Sequence, residues 1–302
     1  MKTTIEIVGL KGLSTLLVAL VLTLWSCNKS DDSVFNLQDV QNLNTDGALE
    51  SAQDETQDIA TGALNTNDPA GRVEGDDRSE CATKIPGPNN TKEAGTITLD
   101  FGPAGCTDKK GNLRKGKIIV TWSGGQWFKT PTVPTLTPPT HTITLDGYSI
   151  NGIAIAGTRT VTNISTANSP LTWTIVANHT STWPDLTTAT RVVKRTRQWI
   201  RATNPSDDRV IISQTAGATS AAEGTNRYGK KYSVQITTPL EYSAACVISN
   251  KVYKPVKGVK VVTVDSKVYT VDFGTGACDN TFTVTYNGKT RTFTGKNDSS
   301  ND

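Results

Sequence analysis

From Cys81 onward, apolar and polar residues alternate in short runs that are rich in β-branched and aromatic residues and separated by Gly, Pro, Asn and Asp. An alternation of two residues is typical of strands with one buried face. Asn151-Gly152 and Asn287-Gly288 are turn dipeptides that suit tight hairpins. We therefore expect an all-β, predominantly antiparallel fold, either a sandwich or one long curved sheet. The predicted strands are 96–101, 117–122, 142–145, 153–163, 171–177, 191–201, 210–214, 231–237, 259–264, 268–273 and 282–286.

The segment before these strands has a different character. Residues 28–80 hold 13 acidic and 3 basic residues, whereas residues 81–302 hold 14 acidic and 26 basic ones. The acidic segment has few large apolar residues to offset the entropy of ordering. We expect residues 27–80 to form an acidic tether, residues 81–296 a β-rich domain, 130–140 a loop or a seam, and 297–302 a disordered tail.

One part of the acidic segment has a helical pattern. Its less polar residues recur at a spacing of three or four, which predicts a short amphipathic helix. This helix would either pack on the folded domain or remain part of the tether. The residues that carry the pattern are Leu49, Ala52, Thr56, Ile59 and Ala63.

Two segments of the β-rich region share a motif. Asp100-Phe101-Gly102 precedes Cys106 by three intervening residues, and Asp272-Phe273-Gly274 precedes Cys278 in the same way. Each motif has an upstream cysteine and a following β-run, so residues 81–124 and 246–288 are two copies of one supersecondary unit. In each copy we expect the Phe to be buried, the Gly to permit a turn, and the Asp to bond the turn amides.

The repeat also bears on the cysteines. Four cysteines permit three pairings, and the repeat favours Cys81 with Cys106 and Cys246 with Cys278. The alternative is four reduced, buried thiols. Because no Cys-x-x-Cys occurs and the chain has two histidines, we expect no metal site and no cofactor.

The N-terminus has the pattern of a secretory signal. Lys2 and Lys11 precede an apolar run at 13–25, which is shorter than the roughly 20 residues of a membrane span. Leu24-Trp25-Ser26-Cys27 resembles the bacterial lipobox, although Trp25 replaces the usual small residue. The resemblance implies cleavage before Cys27, loss of residues 1–26, and a diacylglycerol on the Cys27 sulfur. The alternative is an ordinary signal peptide in which Cys27 is incidental.

Further segments resemble lipoproteins of the Bacteroidota. Asn28-Lys29-Ser30-Asp31-Asp32 is similar to their surface-export signal, and the segments 99–106, 114–122, 155–163 and 271–280 are similar to a group of these proteins. The resemblance implies a lipid anchor in the outer membrane, on the periplasmic face or at the cell surface. It implies no activity and no site residues.

Candidate catalytic groups are few. His141 and His179 stand in no recognisable motif, and we expect both to be exposed residues of loops or strand ends. Asp108 and the pair Asp207-Asp208 could form a glycosidase pair or a calcium site, but adjacent aspartates after Asn-Pro-Ser are more typical of a solvated turn. We therefore expect no catalytic residues.

The predicted strand 191–201 provides the best candidate binding site. Strand alternation places five of its side chains on one face, and guanidinium groups beside an indole suit anionic polymers and sugars. The alternative is a structural face whose charges pair with acids on neighbouring elements. Nucleic acid is not an expected ligand outside the cytoplasm. The candidate binding residues are Arg195, Arg197, Trp199 and Arg201, with Arg191 on the same face.

These patterns together favour a non-catalytic envelope lipoprotein that binds or structures a surface glycan or another envelope component. The alternatives are a glycan-degrading enzyme and an accessory subunit of an outer-membrane protein complex. Two carboxylates roughly 5 to 9 Å apart in a deep cleft would favour the enzyme. A broad exposed apolar patch would favour the protein partner.

Overall fold

The computed structural model describes residues 37–64, 77–109, 111–125, 137–250 and 252–294. Within these residues a 28-residue helix, α1 (Leu37–Leu64), precedes fifteen strands and a short helix, α2 (Ala244–Asn250). The strands are β1 (Thr83–Pro86), β2 (Gly95–Asp100), β3 (Cys106–Thr107), β4 (Leu113–Ser123), β5 (Thr140–Ile150), β6 (Ile153–Asn163), β7 (Leu171–Thr182), β8 (Thr188–Ile200), β9 (Arg209–Gln214), β10 (Ala222–Thr225), β11 (Lys231–Ser243), β12 (Lys257–Val264), β13 (Lys267–Thr275), β14 (Thr281–Tyr286) and β15 (Lys289–Thr294).

All fifteen described strands belong to one antiparallel sheet, in the order β1-β2-β4-β5-β6-β7-β8-β10-β11-β12-β13-β14-β15. The small strand β3 pairs with β4. Strands β9 and β10 lie end to end between β8 and β11, because β10 pairs with one half of β8 and β9 with the other. The fold is therefore all-β and antiparallel as expected, and of the two predicted architectures it is the single long sheet.

The sheet is curved around α1. In a flat sheet, strands about 4.8 Å apart would place β12 about 34 Å from β4. Yet Arg114 of β4 bonds to Glu55 and Lys260 of β12 bonds to Glu50, both at 2.8 Å. Five helical residues span only about 7.5 Å. The two strands can reach the same short stretch of helix only if the sheet wraps around it, with its concave face inward.

The concave face and α1 form the core together. Ile59 and Ala60 are fully buried and pack with apolar side chains of β2, β4, β5 and β6, including Leu99 and Ile118. A second large cluster extends from β6 to β14 and includes Trp173. The helix therefore lies inside the curve of the sheet and forms part of the hydrophobic core. Among the described residues, no helix is long and apolar enough to cross a membrane.

Of the two outcomes expected for the predicted helix at 49–63, the structure shows the one in which it packs on the folded domain. The helix is longer than predicted, and residues 49–63 are built into the fold instead of forming a tether. The acidic composition does not prevent this packing, because basic side chains of the sheet neutralise the charges. The rest of the predicted tether, 27–36 and 65–76, lies outside the described residues, as does the predicted tail.

Each of the eleven predicted strands falls on an observed strand, and 153–163 coincides with β6. The strands that the pattern missed are β1, β3, β10 and β15, each of six residues or fewer. Most of the predicted loop at 130–140 lies outside the described residues. Short strands carry too few alternating positions to be recognised from periodicity alone.

The repeat has the predicted structural role. The Asp100 carboxylate accepts a hydrogen bond from the Gly102 amide at 2.8 Å, and Asp272 accepts one from Gly274 at the same distance. Both glycines have positive φ, 73° and 80°, and the intervening phenylalanines are buried. The two copies lie toward opposite edges of the sheet.

Both repeat units contain the expected disulfide. Cys81 is bonded to Cys106, and Cys246 is bonded to Cys278. The first bond joins the segment after α1 to β3, and the second joins α2 to the turn between β13 and β14. Each bond therefore lies toward one edge of the long sheet.

Candidate functional site

The charged side chains between α1 and the concave face form the main polar constellation of the fold. Acidic residues on one helical face meet basic residues from three strands, mostly out of contact with solvent. We call this group the helix–sheet charge cluster. Its members are Glu50, Asp54 and Asp58 of α1, Arg159 of β6, Arg191, Arg195 and Arg197 of β8, and Lys260 of β12.

Glu50 is the centre of the cluster. Its carboxylate bonds to the Arg195 guanidinium, lies 2.8 Å from the Lys260 ammonium, and lies 3.0 Å from Arg191. Burial alone would raise the pKa of Glu50, but the three cations lower it well below its ordinary value. Glu50 is therefore held as a carboxylate, and it compensates the burial of several positive charges.

Asp54 and Asp58 continue the same pairing one and two helical turns later. Asp54 lies 2.6 Å from the Arg159 guanidinium and 3.2 Å from Arg195. Asp58 lies 3.1 Å from Arg197. Burial would raise the pKa of Asp54, but Arg159 and Arg195 lower it. Glu50 and Asp54 are therefore connected through Arg195, whereas Asp58 pairs with Arg197 and lies 3.6 Å from Arg78.

A sequence signal for this network exists. Glu50, Asp54 and Asp58 follow a spacing of four, which places them on one helical face. Arg195 and Arg197 share a face of the predicted strand. Two complementary charged faces indicate contact between the segments, and this signal favours the alternative in which the predicted helix packs on the folded domain.

Arg114 forms a second buried network on the other side of α1. Its guanidinium donates to Asp108 at 2.9 Å, to the Tyr148 hydroxyl at 2.6 Å, and to Glu55 at 2.8 Å. Arg78 also lies 3.2 Å from Glu55. The Arg114 side chain is fully buried, and both of its carboxylate partners are nearly so. These bonds fix β4, β5 and α1 relative to one another.

The expectation that the two histidines are exposed is wrong. His141 lies within β5 and His179 within β7, and both are at most 1% exposed. Burial and the nearby Arg159 lower the pKa of each to about 3. Each imidazole is therefore neutral in the folded protein at ordinary pH. Their positions on the concave face follow from strand alternation, which places them among inward-facing residues.

The predicted binding face points inward along most of β8. Arg195 is only 4% exposed and Arg197 is partly covered, because both meet acids of α1. Trp199 donates its indole N–H to Asp208 at 2.9 Å, and the Arg201 guanidinium stacks 4.2 Å above the Trp199 ring. The structure thus assigns structural partners to Arg195 and Arg197, and leaves Arg201 exposed at the end of the strand. Ligand binding by these residues stays a prediction.

The candidate carboxylates are not brought together. Asp108 lies beside the β5–β6 turn, because its partner Asn112 bonds to Asn151, whereas Asp208 lies at the opposite end of the strands beside Trp199. Asp208 is also buried, unlike a residue of a solvated turn. Its carboxylate accepts from the Ala202 amide at 2.8 Å. Both aspartates therefore serve as acceptors that stabilise local structure.

In the described part of the chain, no group of three or more His, Cys, Asp or Glu side chains could hold a metal ion. The cysteines there are used in the two disulfides. No protein-family model, curated protein or solved structure matches this chain.

Proposed function

We propose that the protein is a lipid-anchored, non-catalytic lipoprotein of the outer membrane, on its periplasmic face or at the cell surface, and that it binds a surface glycan or another envelope component. One observation carries the non-catalytic part: the acids and bases of the helix–sheet charge cluster are taken up in ion pairs between α1 and the sheet. Glu50 alone is shared by three cations. A buried ion network of this kind positions elements, and it offers no free acid or base to a substrate.

Two features support the envelope location. The lipobox-like sequence before Cys27 provides an attachment point for lipid, and two or three acyl chains are sufficient for stable anchoring. The two disulfides suit an oxidising compartment outside the cytoplasm.

The anchor is tested by changing the cysteine. Cys27→Ala is expected to move the protein from the membrane fraction to the soluble fraction, because acylation requires the thiol. Ser26→Ala is the matched control, since it keeps a small residue before Cys27 and should leave the protein in the membrane. Membrane retention of Cys27→Ala would overturn the anchor.

The binding part of the proposal concerns the stacked pair Trp199 and Arg201. An exposed guanidinium held on an indole can donate bidentate bonds to an anionic sugar. Arg195 and Arg197 are unsuitable test positions, because their replacement leaves Glu50, Asp54 or Asp58 without partners.

The test of binding is titration of the protein with lipopolysaccharide and acidic polysaccharides. Arg201→Ala is expected to weaken binding at least tenfold. Lys194→Ala is the matched control, since it removes an exposed cation from the opposite face of the same strand. Absence of binding by the native protein, or equal binding by both variants, counts against this site.

A further inference from the structure

The helix–sheet charge cluster carries more positive than negative charge. Its five cations meet three carboxylates, which leaves an excess of two positive charges. The adjoining network is balanced, because Arg78 and Arg114 are matched by Glu55 and Asp108. The excess therefore belongs to the cluster itself.

The excess charge lies on the inner side of the cluster, against the sheet. The side chains of Arg159 and Arg191 are each 2% exposed, and that of Arg195 is 4% exposed. Among the described residues, these three guanidinium groups share Glu50 and Asp54 as their carboxylate partners. A buried cation without a counter-charge costs far more free energy than a paired one. This part of the fold therefore lacks a negative charge.

The same arginines have N–H groups that no acceptor satisfies. In the part of the chain that the structure describes, the Nε atoms of Arg159 and Arg195 have no hydrogen-bond partner. Arg191 Nη2 lies 3.0 Å from Glu50, but without the alignment of a hydrogen bond. Buried N–H groups are nearly always satisfied by the protein or by an ordered small molecule. These donors therefore indicate a bound group.

Strand pairing brings the unsatisfied atoms together. His179 of β7 lies directly opposite Arg191 of β8, and both side chains are buried on the concave face. Gln53 of α1 reaches the same place, since its Nε2 lies 3.4 Å from the hydroxyl of Ser181, two residues along β7. Among the described atoms, His179 Nδ1 and Gln53 Oε1 also have no partner. We call Gln53, His179, Arg159 and Arg191 the inner polar group.

Every member of the inner polar group can donate a hydrogen bond to an anion. The two guanidinium groups are permanent donors, and a neutral imidazole has one N–H. Rotation of the Gln53 amide exchanges its oxygen and nitrogen, so that it also presents a donor. Arg159 and Arg191 both act on His179, because their charges contribute to its lowered pKa. The group is therefore compact enough for its members to share one ligand.

We infer that the inner polar group binds one small monovalent anion, of the size and charge of chloride, in place of the missing carboxylate. A water molecule would satisfy the N–H groups, but it would leave the positive charge uncompensated. Since Arg159, Arg191, His179 and Gln53 are at most 2% exposed, the site encloses an ion and admits no polymer. The inference does not depend on the lipid anchor or on glycan binding.

The dependence of stability on chloride tests this inference. The full chain is unfolded with urea in mixtures of sodium chloride and sodium gluconate at constant ionic strength, because gluconate is too large for an enclosed site. Raising chloride from about 1 mM to about 100 mM is expected to raise the folding equilibrium constant about tenfold, as for a ligand with a Kd of about 10 mM that binds only the folded state. A folding constant that does not change with chloride overturns the inference.

Two variants remove the need for the ion. Arg191→Gln lowers the excess charge by one and leaves Glu50 with two cations. Gln53→Glu supplies a carboxylate beside His179 and Arg191. Each variant is expected to reduce the chloride effect to less than about twofold. In gluconate, Gln53→Glu should also be more stable than the native chain, a gain that a purely structural role of Gln53 does not predict. A full chloride effect in both variants contradicts the assignment to this group.

Lys194→Ala is the matched control, because it removes an exposed cation from the opposite face of β8. It should keep the full chloride effect. Loss of the effect in this variant as well would show that chloride acts on the protein surface, and it would overturn the inference.

Bromide locates the ion directly. Crystals of the native protein soaked in sodium bromide are expected to show an anomalous peak beside Arg191 Nη2 and His179 Nδ1. Peaks confined to exposed lysines would mean an adventitious ion only, and water in place of a peak would mean that the group is hydrated. Either result overturns the inference.

Discussion

The buried carboxylate of Glu50 has a large influence on the stability of the contact between α1 and the sheet. Its burial is unfavourable by itself, and three cations compensate for it. Removing one partner of a buried ion network leaves the others unpaired, which costs far more than the intact network contributes.

Glu50→Gln is therefore expected to lower the free energy of unfolding by about 3 to 5 kcal/mol, measured by urea denaturation. Glu80→Gln is the control, since Glu80 forms an exposed pair with Lys109, and its loss should change stability by less than about 1 kcal/mol. Equal losses in the two variants would show that burial does not decide the effect.

Substitution of the exposed Leu186 is expected to raise the free energy of unfolding, whereas substitution of Glu50 lowers it. A non-glycine side chain in the left-handed region costs the folded protein about 1 to 2 kcal/mol. A glycine at this position removes that cost, but it also makes the unfolded chain more flexible, which offsets part of the gain. Leu186→Gly should raise the free energy of unfolding by about 1 kcal/mol in detergent.

The control for Leu186 is Asn168→Gly. Asn168 has the same φ of 65°, but asparagine tolerates that region, so the change should be only a few tenths of a kcal/mol. A Leu186→Gly protein less stable than the native one would mean that Leu186 makes a stabilising contact within the fold.

At the level of elements, the two disulfides stabilise the edges of a sheet whose middle is held by α1. Cys246 and Cys278 are 32 residues apart, and the bond ties α2 to the turn after β13. Loops of this size correspond to about 3 to 4 kcal/mol of stabilisation through the unfolded chain.

The double variant Cys246→Ser and Cys278→Ser is expected to lose about 3 to 4 kcal/mol of unfolding free energy. The matched comparison is Cys81→Ser with Cys106→Ser, which opens the equivalent bond of the other repeat unit and should cost a similar amount. Thermal unfolding of both variants measures this, and a negligible loss in either contradicts an equivalent role of the two units.

The eleven longer strands and the repeat motif were predictable because alternation, turn dipeptides and the Asp-Phe-Gly spacing are local signals. The role of α1 was not. A helix rich in acids can be judged only against the element that faces it, and the arginines that neutralise Glu50 and Asp54 lie more than 100 residues away.

For the whole molecule, the buried histidines determine how stability depends on pH. The pKa of His141 is about 3, and so is that of His179, where burial and nearby arginines disfavour the charged form. The unfolded chain binds protons near the ordinary value of about 6.5. Between these values it holds more protons than the folded chain, so stability falls as pH falls.

The expected slope is about 1.4 kcal/mol per pH unit for each histidine between roughly pH 6 and 4. The lowered pKa values of Glu50 and Asp54 add a further loss below about pH 4, where the unfolded carboxylates are protonated. Urea denaturation at pH 7, 5.5 and 4.5 measures this. His141→Gln should reduce the slope between pH 6 and 5 by about half, and an unchanged slope would contradict the burial of a neutral imidazole.

The sequence alone determined the strand class and the repeat, and it favoured the disulfide pairing and a lipid anchor at Cys27, because each depends on spacing within a local segment. The tertiary structure decided that the sheet is one curved layer around α1, that Arg195 and Arg197 face inward, and that His141 and His179 are buried. These features depend on which distant segments face each other. A charge pattern along a strand indicates that solvent or opposite charges must lie against it. Only the folded structure shows whether that partner is solvent, a ligand or the chain's own helix.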